Sequence, residues 1–200
     1  MITEIDDETA LVLIDLQKGI VSMPVVHSAE TVIEKAVDLI KAFQARNLPV
    51  VIVSVNPLGA KWTQTRVEMP MAPKGEEAIE QARIAMEQSG FFDIVPQIQP
   101  ALKDLMLVKS SWNAFFETNL HQHLQKQGIT GIVLAGIATS VGVEGTARAA
   151  HEHGYHIAFA TDAMTDTNIS AHENSIGMIF PKLGEVGNTT TIIDMLSKKA

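Results

Sequence analysis

Short runs of apolar residues alternate along the chain with longer segments whose apolar residues recur every three or four positions. Five runs are rich in Val, Ile and Leu and fit strands buried on both faces; they cover residues 10–15, 49–55, 105–109, 131–136 and 156–162. The segments between them predict helices at 29–46, 117–127, 143–153, 170–180 and about 189–198. Strands that alternate with helices predict a parallel sheet covered on both faces, which is a three-layer α/β/α fold.

Residues 57–104 interrupt this alternation. The segment holds five of the eight prolines and little strand signal, and its periodicity predicts one short helix at 76–88. We therefore expect an excursion over the sheet edge or the active site. The length of 200 residues and the 46% hydrophobic content predict a single domain over residues 1–200.

Charge and cysteine content narrow the classes of partner. The net charge of −8 argues against nucleic acid and favours a small-molecule partner. The absence of cysteine excludes disulfides and thiol catalysis. The acidic beginning does not resemble a secretory signal, and no apolar run approaches the ~20 residues of a membrane span. We expect a cytoplasmic protein without a membrane partner.

Charged residues end two of the predicted strands. Asp15 follows ALVLI and Lys109 follows LMLV. Because ligands of open parallel sheets bind at the carboxyl ends of the strands, these two side chains are candidates for one site. A buried carboxylate and a buried ammonium are costly unless they are paired. The pair is either structural or a catalytic Asp/Lys pair in a cleft.

A serine hydrolase is a competing interpretation. The sequence ATSVG around Ser140 resembles a nucleophile elbow, and Asp162 and His172 follow in the order that α/β-hydrolases use. However, an elbow serine comes directly after its strand, whereas Ser140 lies four residues beyond Gly136. Ser140-dependent esterase or amidase activity is therefore an alternative hypothesis.

Metal and nucleotide sites have little support in the sequence. The histidines of HQH at 121–123 and HEH at 151–153 are two residues apart, so on a helix they point to different faces. The glycines of the 136–145 turn lack the dinucleotide-binding spacing. We expect neither a metal nor a cofactor.

Three segments resemble the isochorismatase-like hydrolase superfamily, which includes nicotinamidases, N-carbamoylsarcosine amidase and isochorismatases. ALVLIDLQKGIV resembles the family's first strand with its catalytic aspartate, and VKSSWNAFFETNL resembles the segment with its catalytic lysine. VLAGIATSVGVEGTARAA resembles a third motif that reads about G-x-A-T-x-x-C-V-x-x-T-A in cysteine-type members. The resemblance implies a Rossmann-like, six-stranded parallel sheet, with Asp15 and Lys109 as catalytic residues. It also implies a cis peptide between Ile137 and Ala138 and an anion hole of amides near 138 and 142.

The third motif departs from the cysteine-type pattern at one position. Gly142 stands where those members carry the nucleophile. Isochorismatases share the fold and work without a thiol. Their aspartate protonates the enol-ether carbon of the substrate, and water attacks the resulting oxocarbenium centre. The resemblance therefore implies that Asp15 is an acid.

The evidence on the substrate is divided. Asn56 and Arg66 are similar to the Gln-Pro and arginine with which isochorismatases hold carboxylates. However, IATSVG lacks the tyrosine and histidine of true isochorismatases, and SVNP lacks the D-x-H metal motif of nicotinamidases. The expected pocket walls are Gln17, Asn56, Arg66, Trp112, Phe115, Ile137, Ala138 and Gly142.

We therefore expect thiol-independent hydrolysis of a small, anionic metabolite, with an isochorismate-like enol ether as the best-motivated substrate. A non-catalytic small-molecule-binding protein of the same fold is a second hypothesis. We expect a homo-oligomer, either a dimer or a tetramer.

Overall fold

The computed structural model describes residues 1–66, 72–101 and 105–198. Its sheet has six strands in the order β3-β2-β1-β4-β5-β6, and each neighbouring pair is parallel. The strands are β1 (Thr9–Ile14), β2 (Val50–Val55), β3 (Leu105–Lys109), β4 (Gly131–Ile137), β5 (His156–Thr165) and β6 (Glu185–Gly187). The predicted six-stranded parallel sheet is confirmed.

Helices connect the strands and cover both faces of the sheet. They are α1 (Lys18–Val21), α2 (Ala29–Ala45), α3 (Glu76–Gln88), α4 (Leu120–Lys126), α5 (Glu144–Glu152), α6 (Ile169–Asn174), α7 (Phe180–Leu183) and α8 (Thr189–Lys198). In the described ranges, no helix has the length and apolar character needed to cross a membrane.

The sheet separates two hydrophobic cores. Successive side chains of a strand point to opposite faces, so Leu11 and Leu13 join the core beneath α2 and α8. Val12 and Ile14 join the core beneath α4, α5 and α7. Because every residue of β1 is buried, this strand meets solvent only beyond its ends.

The strand order reverses between β1 and β4. Ligands of doubly wound sheets bind in the crevice at such a switch point, outside the carboxyl ends of the strands. Ile14 of β1 is paired with Gly136 of β4 at this place. A Cβ on Gly136 would lie 2.1 Å from the Ile14 carbonyl oxygen, and its φ is +127°, so only glycine fits here. The close approach brings residue 15 beside the turn that follows β4.

The apolar pattern does not predict α1 or β6, and two predicted elements have other bounds in the structure. β5 continues to Thr165 instead of ending at 162, and its pairing with β4 contains a register shift between Leu134 and Gly136. The helix predicted at 170–180 is divided into α6, a π-helical turn at Ser175–Ile179 and α7. Pro181 stands at the start of α7, where its missing N–H costs no helix bond.

The segment 57–104 contains the predicted helix, which is α3, and two short 3₁₀ turns at Lys61–Gln64 and Gln99–Ala101. Ile94 forms an antiparallel bridge with Gln17 just beyond β1. The segment therefore returns past the carboxyl edge of the sheet, beside the switch point.

Candidate active site

A buried ion pair occupies the switch point. Lys109 Nζ donates a hydrogen bond of 2.7 Å to Asp15 Oδ2, and the side chains are 1% and 7% exposed. Lys109 ends β3, two strands away from β1, so its side chain crosses the end of β2, a span of about 10 Å between strands. A second bond of 3.1 Å from Lys109 Nζ to the Ser111 carbonyl holds the ammonium in place. The structure thus brings together the two predicted catalytic residues.

Burial decides the protonation of this carboxyl. Desolvation raises the pKa of Asp15 to about 6, although the charge and hydrogen bond of Lys109 act in the opposite direction. More of this carboxyl is therefore protonated near neutral pH than of an ordinary aspartate. An aspartic acid with this pKa can donate a proton near neutral pH.

Only one Asp15 oxygen is paired. Within the described part of the chain, Asp15 Oδ1 is buried and has no hydrogen-bond partner. Asp15 also has a left-handed backbone with φ of 55°, which is uncommon for a residue other than glycine. An unpaired buried oxygen and a strained backbone are typical of functional sites.

Gly142 lies directly beside the pair, and its lack of a side chain is what lets the turn approach so closely. A Cβ at this position would lie 3.1 Å from Asp15 Oδ2 and 3.6 Å from Lys109 Nζ. It would also lie 2.8 Å from Cγ2 of Ile14, closer than carbon atoms normally approach. Any side chain at position 142 would therefore contact both charged groups, and Ile14 would have to move.

The turn between β4 and α5 contains Gly142 and so lies beside the pair. The peptide bond between Ile137 and Ala138 is cis, the form that the resemblance implies for it. The amides of Val141 and Val143 donate to the Ala138 carbonyl, and the Ser140 amide donates to Asp166. The anion hole of amides near 138 and 142, which the resemblance implies, stays a prediction. The Ile137 side chain lies in the core instead of the pocket wall.

Gln17 and Asn56 support the loops around the pair. The Gln17 amide exchanges two hydrogen bonds with the backbone of Val55, at 3.1 and 2.7 Å. The side-chain oxygen of Asn56 accepts a bond from the Leu58 backbone amide and so makes a local turn. The backbone amide of Asn56 donates to the Lys109 carbonyl. Both residues fix the end of β2 against its neighbours, and substrate contact by either stays a prediction.

Two tryptophans lie near the ends of β2 and β3. Trp62 Nε1 donates to the Ser110 carbonyl at 2.7 Å, and its ring meets Trp112 edge to face at 6.2 Å. Trp112 is 45% exposed and packs against Gly145 at the start of α5. Arg66 is exposed and borders residues 67–71, which lie outside the described ranges. The carboxylate-binding role of Arg66 stays a prediction.

Phe115 lies in the core beneath α4 and α5, and its place in the pocket wall stays a prediction. Its ring is 9% exposed and packs against Tyr155 and His153, which precede β5 at the opposite edge of the sheet. The neighbouring Phe116 is the exposed ring of this turn.

Two of the histidines considered in the sequence lie against each other. His121 of α4 stacks on His153 at the end of α5, with ring centres 4.0 Å apart, and its Nδ1 forms a hydrogen bond with the Tyr155 hydroxyl. The contact thus joins one histidine of HQH to one of HEH.

The structure does not assemble the serine triad. His172 Nδ1 bonds the Thr139 hydroxyl at 2.8 Å, and Asp162 accepts bonds from the amide and hydroxyl of Thr189. Asp162 lies inside β5, where it caps α8 instead of facing the strand end. The Ser140 hypothesis is therefore wrong in its geometry.

The carboxylate at the true end of β5 is Asp166, which the sequence analysis missed. It is 2% exposed and accepts bonds from the amides of Ser140, Thr167 and Asn168. Its sequence signal is the same as that of Asp15, an acid directly after a buried strand. The prediction ended β5 at 162 and so assigned this signal to Asp162.

A cavity of about 470 Å³ lies at the opposite, amino-terminal edge of the sheet, between β1, β4 and β5. Carboxylates in its wall are already paired: Glu185 accepts bonds from Thr3, and Asp6 pairs with His156. It is separate from the Asp15 and Lys109 pair.

Known proteins are similar to this chain in sequence and in fold. The family model described as the isochorismatase domain matches residues 9–191. The uncharacterized isochorismatase family proteins YecD of Escherichia coli O157:H7 and YwoC of Bacillus subtilis (strain 168) are 34% and 36% identical over 191 residues. These matches cover 94% of this chain and 96% and 94% of the relatives. An isochorismatase family protein from Burkholderia thailandensis superposes with a TM-score of 0.83 at 33% identity, over 97% of this chain and 98% of that chain. The chain therefore belongs to the isochorismatase family of hydrolases.

Proposed function

We propose that this protein hydrolyses a small, anionic metabolite without a thiol nucleophile, and that an isochorismate-like enol ether is the substrate type it fits best. The observation that carries the proposal is the buried Asp15 carboxyl beside Gly142. The chain has no cysteine, so the covalent thiol route is closed. A carboxyl with a pKa of about 6 and one unpaired oxygen supports proton donation instead.

The charge of the pair favours an anion. When Asp15 carries its proton, the buried Lys109 leaves a net positive charge in the site. Burial of that charge is costly unless a negative group lies close to it. A substrate carboxylate next to Lys109 or the turn amides would supply this group and would itself keep Asp15 protonated.

The reaction on an enolpyruvyl ether follows from this arrangement. Asp15 donates its proton to the terminal CH₂ carbon, and positive charge develops on the carbon that carries the ether oxygen. Water adds to that carbon, and its proton passes to the Asp15 carboxylate. The hemiketal hydroxyl then gives up its proton as the bond to the ring oxygen breaks. That proton passes to the ring oxygen, which leaves as an alcohol, and the former hemiketal carbon becomes the ketone of pyruvate. Lys109 holds the carboxyl in position throughout.

The test is turnover of purified protein with isochorismate and chorismate, beside matched amides and esters. Pyruvate release from an enol ether, measured with lactate dehydrogenase and NADH, is the expected result. Dialysis against EDTA should leave the rate unchanged. Hydrolysis of amides or esters alone would contradict the proposal. Thermal stabilisation by these compounds without turnover would favour a non-catalytic binding protein.

The pH dependence of kcat/KM provides a further prediction. If protonated Asp15 is the acid, kcat/KM should be high below pH 6 and should fall as pH rises through about 6, because the pKa of Asp15 is raised to that value by burial. Initial rates between pH 5 and 8 test this. A rate that increases through pH 6 would show that the ionised carboxylate is the active form.

A further inference from the structure

Three side chains from one segment hold the turn that faces the active site. Asp166 Oδ2 accepts a bond of 2.7 Å from the Ser140 amide, and His172 Nδ1 bonds the Thr139 hydroxyl at 2.8 Å. Ser175 donates a bond of 2.6 Å to Glu144 at the start of α5. The segment after β5 thus contacts the turn at Thr139 and Ser140 and the start of α5 at Glu144.

The direction of the His172 bond follows from the donors available. The Thr139 hydroxyl donates its single proton to the Thr165 carbonyl at 3.0 Å, because a carbonyl oxygen can only accept. Thr139 must therefore accept from His172, which places the proton on Nδ1. Burial and the neighbouring His27 lower the pKa of His172, which favours the neutral ring, although Asp166 and Glu173 act in the opposite direction. This hydrogen-bond pattern favours the Nδ1–H tautomer.

This bond holds the same turn that places Gly142 beside Asp15 and Lys109. Thr139 is fully buried and His172 is 6% exposed, so water does not replace a lost partner readily. Gly142 follows Thr139 by three residues. A Cβ added at Gly142 would lie 3.1 Å from Asp15 Oδ2. A shift of the turn would therefore change the space in which the substrate meets Asp15.

We propose that His172 is a positioning residue for the reaction at Asp15 and Lys109, which acts by donating its Nδ1–H to Thr139 and thereby fixes the turn at 138–142. The inference rests on the proposed hydrolase function for its effect on rate. Its structural part, the fixed turn, is independent of any substrate.

The experiment compares variants that keep or remove the donor. His172→Phe keeps the ring volume and removes the N–H, whereas His172→Asn places an amide N–H near the position of Nδ1. Thr139→Val removes the same bond from the other side with little change in shape. His151→Asn is the matched control, because His151 is an exposed histidine near the end of α5 that lies away from the turn.

We expect His172→Phe to accelerate amide hydrogen exchange at 139–143 by about tenfold without a change in β1. We also expect kcat on the enol ether to fall by about tenfold with KM nearly unchanged, since the turn acts on the transition state. His172→Asn should keep both the exchange rate of the turn and kcat close to the wild-type values. Thr139→Val should reproduce the loss, and it replaces His172→Phe if that variant does not fold. The double variant that combines His172→Phe with Thr139→Val should lose no more activity than either single variant, because both remove the same bond.

Several results would overturn the inference. One is an unchanged exchange rate of the turn in both His172→Phe and Thr139→Val, and another is equal losses in His172→Phe and His172→Asn. An Nε2–H tautomer of His172 in the ¹⁵N spectrum of the wild-type protein would also contradict it. Absence of any enol-ether turnover by the wild-type protein would refute the proposed function alone, and exchange and tautomer would still decide whether His172 fixes the turn.

Discussion

Replacement of Asp15 by Asn is expected to lower the rate of hydrolysis by about a thousandfold while the protein stays folded. Asparagine tolerates the left-handed backbone at this position, where φ is 55°. Its carbonyl oxygen can still accept the Lys109 bond, but its amide cannot supply the carboxyl proton. Activity on the identified substrate and urea unfolding followed by circular dichroism are the measurements.

Lys109→Met is the partner experiment and separates catalysis from structure. It leaves the Asp15 carboxyl buried without its cation, and the loss of one member of such a pair typically costs about 3–5 kcal/mol of unfolding free energy. We expect Lys109→Met to destabilise the protein more than Asp15→Asn does. The double variant should regain part of that stability, because no unpaired charge is buried. Full activity of Asp15→Asn would show that the pair is structural only.

Gly142→Cys should create a reactive thiol and remove the native activity. The new Cβ would lie 3.6 Å from Lys109 Nζ, and the turn precedes the N-terminus of α5, so both features favour a thiolate. We expect its pKa to fall below the ~8.5 of a free cysteine. Asp15 opposes this shift while it is ionised. Because the parent chain has no cysteine, the pH dependence of iodoacetamide alkylation reports this one site.

Gly142→Ala is the control for the steric effect. Both variants place a Cβ 2.8 Å from Ile14 Cγ2, and overpacking of this kind costs about 1–3 kcal/mol. If Gly142→Cys and Gly142→Ala lose the same stability and the same native activity, the added Cβ causes these losses. The reactivity of the thiol would still be specific to Gly142→Cys. Alkylation that rises only above the free-cysteine pKa, or that requires denaturant, would contradict the assignment of position 142 to the site.

The sheet and its charged pair could be predicted because the signals are local. The apolar runs around β1 and β4 identify central strands, and a charge directly after such a run must find a partner at the sheet edge. β6 could not be found in this way, since it has three residues and all are half-buried. β3 has an apolar run, but Met106 and Val108 are exposed at the edge of the sheet.

Other features depend on packing that no local pattern contains. Which of Phe115 and Phe116 turns inward is decided by the fit against Tyr155 and His153. The length of β5 depends on the register shift against β4, and this shift decides that Asp166 and not Asp162 reaches the strand end. The homo-oligomer stays a prediction of the sequence.

The position of β3 has a consequence for how the activity fails. Among the described strands, β3 bonds only to β2, so it can detach from the sheet without disruption of the central strands. Such detachment would withdraw the Lys109 ammonium from Asp15, whereas β1 and both cores would persist. If the protein is the hydrolase proposed above, we expect the free energy of this local opening, and not that of global unfolding, to set the temperature at which activity is lost. Inactivation on heating would precede the loss of secondary structure.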